Sequence, residues 1–364
     1  MSFEMPTYTA PDFSQPAYQQ MPSVRWVPAP AHGVAPDNYH ATTIFPEYFK
    51  VNGSWQLAKE SRMDCVAVLS KGNIEVKEFR RLRKGDLVAV GRSEDGSDGI
   101  YVHTAAFTKP GSQEEAFSFR QGRSRETAYA MDYDSIYDLL RYEKEHGGYI
   151  TWVLGPACCF DWDARQAFSK LIQAGYAQAI LAGNALATHD LEAGYLSTAL
   201  GQDIYTQISQ PGGHYNHIDT INQVRKAGSI EKFVQQENIQ DGIMASCVQC
   251  KVPFVLTGSI RDDGPLPEVY ADVYEGQNAM REHVKKSTTV ICLATTLHSI
   301  ATGNMTPSYR VLADGTVRPV YFYSVDVSEF AVNKLRDRGS LAVKTIVTNV
   351  QDFIVNVQRG LGLK

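Results

Sequence analysis

From residue 149 to the C-terminus, short apolar runs alternate with segments of helical periodicity, a pattern that few folds satisfy. The runs fall at 149–154, 179–182, 252–258, 289–293, 320–325 and 344–347. They lack the polar alternation of a half-solvated strand, so both of their faces need covering. Helices are predicted between them at 165–175, 275–284 and 329–338. Another is predicted at 133–145, where Ile136, Leu139, Leu140 and Tyr142 recur at helical intervals before Gly147 and Gly148 stop it. Strands joined through helices require crossover connections, which give a parallel sheet with helices on both faces. Residues 126–364 are therefore expected to form one mostly parallel α/β domain.

The preceding residues read differently. Between 62 and 120 short runs such as 65–69, 74–76 and 86–90 are separated by turns at Lys84-Gly85 and Asp95-Gly96. Residues 37–125 are expected to be a small β-rich domain, with a basic turn at 81–88 that is either a solvated hairpin or a binding edge. Residues 1–36, rich in Pro, Gln, Tyr and Ser, are expected to be an extended or disordered leader.

The formal net charge of −5 argues against a protein held to nucleic acid by counterion release, and no apolar stretch is long enough to span a bilayer. Six cysteines include the pair Cys247 and Cys250 at CxxC spacing. Zinc would require a second pair, so reduced structural or pocket-lining thiols in the cytoplasm are expected. His214 and His217 share a spacing of three, but no third metal ligand is evident, and they read as a polar lip of a pocket.

Ligands of open α/β sheets collect beyond the carboxyl ends of the strands, so the residues following each run carry the functional reading. These are Gly155-Pro156-Ala157, Asn184-Ala185, the turn Arg261-Asp262-Asp263-Gly264, Thr296-Leu297-His298-Ser299, Asp326, and Asn349. Small or polar residues follow all six runs and let a ligand approach the backbone. Asp326 either bonds ribose hydroxyls or caps the next helix, with Glu329 at capping-box spacing. Arg261 could clamp a carboxylate while a neighbouring acid accepts a proton, or the turn could hold an internal ion pair. His189, Asp190 and Glu192 read as the opening of a helix, and His298 as a cofactor contact or proton carrier. No GxGxxG follows the first run, so any dinucleotide would need another phosphate cradle.

The blocks 181–192 (Leu-Ala-Gly-Asn-Ala-Leu-Ala-Thr-His-Asp-Leu-Glu), 252–267 (Val-Pro-Phe-Val-Leu-Thr-Gly-Ser-Ile-Arg-Asp-Asp-Gly-Pro-Leu-Pro) and 293–305 resemble one family. Gly155-Pro-Ala, Val325-Asp-Val and the Asp-Arg-Gly-Ser at 337–340 belong to the same resemblance. It is the archaeal-type ornithine cyclodeaminase, whose module also forms the C-terminal part of bifunctional arginine dihydrolase/ornithine cyclodeaminases and carries a LOR/SDH label. The resemblance runs from about residue 37 to the end. It implies a Rossmann-like NAD-binding domain, similar in fold to deoxyhypusine synthase and preceded by a small β-rich domain. It also implies a bound NAD that takes a hydride from Cα of L-ornithine and returns it after cyclisation to proline, with loss of ammonia.

Gly155, Asn184, Ala185, Asp263, Thr296, Leu297, His298, Ser299, Asp326 and Asn349 are then the expected cofactor contacts, with NAD favoured over NADP by Asp326. Arg261 and Asp262 are the expected catalytic pair. Glu126, at the domain junction, is a second candidate base or one half of an interdomain ion pair. The chain is expected to depart from the family in lacking a guanidino-hydrolase domain and the small α/β domain before residue 37. It has Cys158-Cys-Phe where relatives tend to place a histidine, and Ser246 where they tend to be acidic; both changes are expected to touch the substrate pocket. A small amino-acid substrate and a homo-oligomer are expected. The competing readings are another NAD-dependent amino-acid or imine oxidoreductase, a deoxyhypusine synthase-like amine transferase, and a non-catalytic NAD-binding partner.

Overall fold

The structure, a computed structural model, describes residues 3–108, 130–260, 262, 264–328 and 341–364. Glu126, Arg261, Asp263 and the helix expected at 329–338 lie outside these residues.

Seven described strands form the central sheet: β1 (Ile150–Leu154), β2 (Ala179–Gly183), β3 (Phe254–Thr257), β4 (Val269–Tyr270), β5 (Thr289–Leu293), β6 (Tyr321–Asp326) and β7 (Ala342–Val347). Their order is β4-β3-β2-β1-β5-β6-β7, and every pairing is parallel. The chain moves outward from β1 in one direction as far as β4. It then returns to β5 on the other side of β1, so the order reverses between β1 and β5. β1 and β5 are buried along their whole length, as uninterrupted apolar runs require.

One face of the sheet carries α1 (Ala130–Glu145), α2 (Trp162–Gln173), α3 (Asn184–Leu196), α4 (Asn216–Ala227), α5 (Ile230–Gln236) and α6 (Ile243–Cys250). α7 (Val273–Val284) and α8 (Thr296–Met305) build the smaller core on the other face, around Val153, Met280 and Val290. α9 (Val350–Gly360) returns to pack on α2, and Phe353 and Ile354 are fully buried.

Two buried ion pairs anchor the larger core. Arg165 on α2 reaches Asp190 at 2.8 Å, and Asp190 also accepts from the backbone of Ile243 (3.0 Å) and Met244 (2.7 Å). A side chain from α3 therefore caps α6, whose own preceding residue Gly242 cannot. Glu143 on α1 takes both Thr289 (2.6 Å) and Arg318 (2.6 Å).

Residues 3–36 are not a free leader. Arg25–Pro28 is an edge strand paired with Leu87–Val90, and Thr7–Tyr8 pairs with Phe107–Thr108. Phe13 stacks on Trp55 at 4.8 Å, and the carbonyls of Tyr18, Gln19 and Met21 surround the Lys50 ammonium. The aromatic content that suggested an extended arm is what fastens it, and the boundary expected at residue 37 falls inside the β-rich unit. That unit is laced to the α/β domain as well, since Tyr309–Val311 pairs with Glu60–Ser61.

Candidate functional site

The end of β1 abuts the end of β5, where the strand order reverses. The Gly155 amide donates to the Leu293 carbonyl at 2.8 Å, and a Cβ on Gly155 would stand 1.9 Å from the Ala294 carbonyl oxygen. Only glycine permits that approach. Ala294 itself adopts a left-handed φ of 49°, turning the chain into α8. The first turn of α8, which has no side-chain cap, therefore starts at the carboxyl ends of the strands, the disposition that accepts an anionic group. Thr296 and Leu297 on this first turn are exposed, whereas Ser299 is buried.

His298 leans from the same turn across the sheet. Its Nε2 meets the Thr257 hydroxyl at the end of β3 (2.7 Å), its Nδ1 faces Thr295 (3.3 Å), and a Cβ on Gly183 would strike its Cε1 at 2.9 Å. Burial pushes its pKa below the usual histidine value, opposed by the nearby Asp262 carboxylate, so the ring is neutral at neutral pH. Asp262, half-buried, accepts from the Ser259 amide at 2.9 Å.

Beside these groups opens a cavity of about 800 Å³, of a size that suits a small ligand. Asn184, Ala185, Thr188 and His189 of α3 form one wall, Asp262 and Gly264 another, and His217, Asn222, Arg225 and Lys226 of α4 the mouth. Asn184 fixes the loop by accepting from the Leu266 amide at 3.0 Å. His189 is held through Nδ1 by Glu192 (3.0 Å), a fully buried carboxylate that also accepts from Thr198 (2.8 Å) and the Gly201 amide (2.9 Å). With Nδ1–H so engaged, Nε2 carries the lone pair.

The sequence reading thus brings together Asn184, Ala185, Asp262, His298 and the Gly155 turn. Two further strand-end residues make local hydrogen bonds. Asn349 is exposed and its side chain caps α9, accepting from Gln351 (2.7 Å) and Asp352 (3.4 Å). Asp326, at the end of β6, accepts from the Ser328 amide at 2.9 Å.

His189, Asp190 and Glu192 do not open a helix; α3 starts at Asn184, and all three are buried within it. Ser246, Cys158 and Cys159 are buried in the core rather than lining the cavity: Ser246 faces inward on α6, and Cys159 donates to the Leu186 carbonyl at 3.7 Å. Phe160 reaches the site only indirectly, its ring edge-on to His189 at 5.4 Å.

The residues that sequence reasoning missed are Thr188, His189, Asn222, Arg225 and Lys226. The spacing of Ile218, Ile221, Asn222 and Arg225, on one face of α4, was the available signal. Among the described residues no cluster of three His, Cys, Asp or Glu could hold a metal, and no helix is long and apolar enough to cross a membrane.

Comparison with known proteins gives this geometry a context. Residues 134–357 match the model of the arginine dihydrolase ArgZ-like C-terminal Rossmann fold, and residues 46–128 match its C-terminal first region. An ornithine cyclodeaminase of Methanocaldococcus jannaschii is 38% identical over 343 residues, covering 92% of this chain and 77% of that protein. The bifunctional arginine dihydrolase/ornithine cyclodeaminase AgrE of Nostoc sp. is 35% identical over 88% of this chain but only 44% of its own length.

Among solved structures, a conserved LOR/SDH protein of Methanococcus maripaludis superposes with a TM-score of 0.83 at 35% identity, covering 94% of this chain and 99% of that one. A ternary complex of AgrE with ornithine and NAD+ superposes with a TM-score of 0.59 at 31% identity, covering 94% of this chain and 46% of that one.

Proposed function

The chain belongs to the family that unites the ArgZ-like C-terminal module with the archaeal ornithine cyclodeaminases, and on that premise we propose that it converts L-ornithine, or a close diamino acid, to proline or the matching cyclic imino acid with release of ammonia. It is an enzyme of the ornithine cyclodeaminase type, an ammonia-lyase that uses bound NAD. The observation that carries the substrate reading is the cavity beside the reversal point, which offers a carboxylate (Asp262) and two cations (Arg225 and Lys226) to one small molecule.

The strand ends fit the cofactor. The bare backbone at Gly155 and the first turn of α8 suit a pyrophosphate. The exposed apolar side chains Ile260, Leu297 and Val327, beyond β3, β5 and β6, would cover flat rings. Asp326 would accept from ribose hydroxyls, and Thr296, His298 and Ser299 would border the phosphates. Bound NAD⁺ supplies a hydride acceptor that becomes the donor once the substrate has cyclised.

The protein's own groups position and protonate the substrate. Arg225 takes the substrate carboxylate bidentately, with Lys226 beside it. Asp262 holds the α-ammonium and removes a proton from its nitrogen, which must be a neutral amine before Cα can lose a hydride. The substrate's δ-amine then attacks C2, and His189, whose orientation Glu192 fixes, takes a proton from the δ-nitrogen on its Nε2 lone pair and passes it to the departing ammonia. Arg261 is proposed as a second carboxylate clamp, Asp263 as a cofactor contact and Glu126 as an alternative base. Six free cysteines favour a reducing compartment such as the cytoplasm.

The test is to add L-ornithine to purified protein without added cofactor and to follow ammonia and absorbance of reduced nicotinamide. Ammonia release with no net NADH supports the cyclodeaminase. Accumulating NADH would make it an ordinary oxidoreductase, and silence with NAD still bound would make it a non-catalytic NAD-binding protein. Asp262→Asn is expected to lower kcat by roughly 10²-fold with NAD retained; unchanged turnover would remove Asp262 from the mechanism.

A further inference from the structure

A second cavity, of about 320 Å³, lies where the β-rich unit meets α7 and α8. Arg62, Asp64, Glu78 and Arg80 line it from the β-rich unit, and Tyr274, Gln277 and Asn304 from the helices. Two buried guanidiniums, Arg62 (7% exposed) and Arg281 (2% exposed), turn to the same carboxylate oxygen of Glu78. One carboxylate neutralises one of them, so a buried positive charge is left over.

The Nε of Arg281 is buried and finds no hydrogen-bond partner among the described residues. Burial and the neighbouring Arg62 push the Arg281 pKa down to about 10, which still leaves it charged at neutral pH. Arg80 stands at the rim, donating to Asn278 at 3.0 Å and lying over the Tyr274 ring at 5.0 Å. Glu60, Asp64 and Glu282 offset part of this charge from a distance, but Glu60 is shared with Lys285 at 3.7 Å, and Asp64 and Glu282 are exposed, where water screens them. Proteins pair buried charges because an unpaired one is costly, and a cavity bordered by an uncompensated guanidinium cluster offers room for the counter-charge.

We propose that this cavity binds a small oxyanion, a carboxylate or a phosphate group, held by the forks of Arg62 and Arg80, with the charge of Arg281 behind Glu78. Planar guanidiniums match such groups through paired N–H donors. The site is separate from the amino-acid cavity and shares no lining residue with it. α8 connects the two regions, with its first turn at the strand ends and Asn304 and Met305 at this second cavity, about 15 Å of helix between its ends. The bound anion would serve as an effector or a structural counterion rather than as substrate.

The test titrates the full-length, NAD-loaded protein with inorganic phosphate and, separately, with succinate, by isothermal calorimetry. Binding of phosphate alone, succinate alone or both identifies the group and supports the site, provided that the variants respond as follows. Arg80→Gln, at the rim, should weaken the bound anion by about tenfold. Glu78→Gln removes the competing carboxylate and should tighten it, the anion then raising Tm more than in the wild type. Arg225→Gln, in the amino-acid cavity, should leave the affinity unchanged. Absence of binding by both anions would overturn the proposal. So would binding that survives Arg80→Gln and disappears in Arg225→Gln. A purely structural ion cluster would give Glu78→Gln a lower Tm with no gain in anion affinity, and that result also overturns it.

Discussion

His298 faces threonine hydroxyls with both ring nitrogens, and burial outweighs Asp262 in setting its charge. Its folded-state pKa lies below the unfolded value of about 6.5, so the unfolded chain binds more protons as the pH falls through that value. The stability this neutral ring contributes is complete above about pH 6.5 and is lost progressively on acidification towards the folded pKa. His298→Gln, which keeps a polar partner for Thr257, is expected to flatten the fall of Tm between roughly pH 6.5 and 5 relative to wild type. Parallel acid limbs for the two proteins would show that His298 does not titrate as its surroundings imply. The residue was readable in the sequence because it follows an apolar run. His189 was not, because beside Asp190 and Glu192 it reads as the acidic opening of a helix, whereas the three are buried within α3. Only the folded chain brings Thr198 and Gly201 onto Glu192 and so reveals His189 as a fixed, cavity-facing ring.

At the scale of elements, strands and their ends were legible because β1, β2 and β5 are buried on both faces and show it as unbroken apolar runs. Helix starts were less so, since some caps are tertiary. α6 begins where Asp190, fifty-three residues before Ile243, receives two amides, and no local spacing announces that. Asp190→Ala would remove the cap and leave Arg165 with Asp241 as its remaining carboxylate partner, at 3.0 Å, at a cost of about 3–5 kcal/mol seen as a lower Tm or failure to fold. A loss below 1 kcal/mol would mean that water replaces the carboxylate. Asn349→Ala tests the opposite case. It should cost about 1 kcal/mol as the lost cap of α9 and leave NAD retention untouched; a protein that purifies without NAD would restore Asn349 as a cofactor contact. Asp326, at the end of β6, is proposed to select NAD over NADP. Asp326→Ser should then narrow the difference between the two affinities, and an unchanged ratio would assign that carboxylate to its Ser328 turn alone.

Across the whole molecule, the hairpin of Tyr309–Val311 and Val317–Pro319, inserted between α8 and β6, pairs with a strand of the β-rich unit. Composition suggested two consecutive domains, whereas the pairing joins segments some 250 residues apart, which no local pattern can disclose. The apolar side chains Leu200, Tyr205, Ile208, Tyr215 and Ile218 are a further property of the whole. They are exposed together on the segment between α3 and the first turns of α4. Isolated exposed hydrophobics are ordinary, but five within nineteen residues, with Ile218 also lining the cavity, are the kind of surface that another protein covers. We propose that a second copy of the chain covers it, as a homo-oligomer buries self-complementary surface. Light scattering after size exclusion should then show a mass above one chain. Tyr205→Ser combined with Ile208→Ser should shift the protein towards monomer and, since His217 and Ile218 border the mouth of the cavity, raise the KM for ornithine. A wild-type protein that elutes as monomer at high concentration would leave the patch for another partner and remove the expected coupling between assembly and substrate binding.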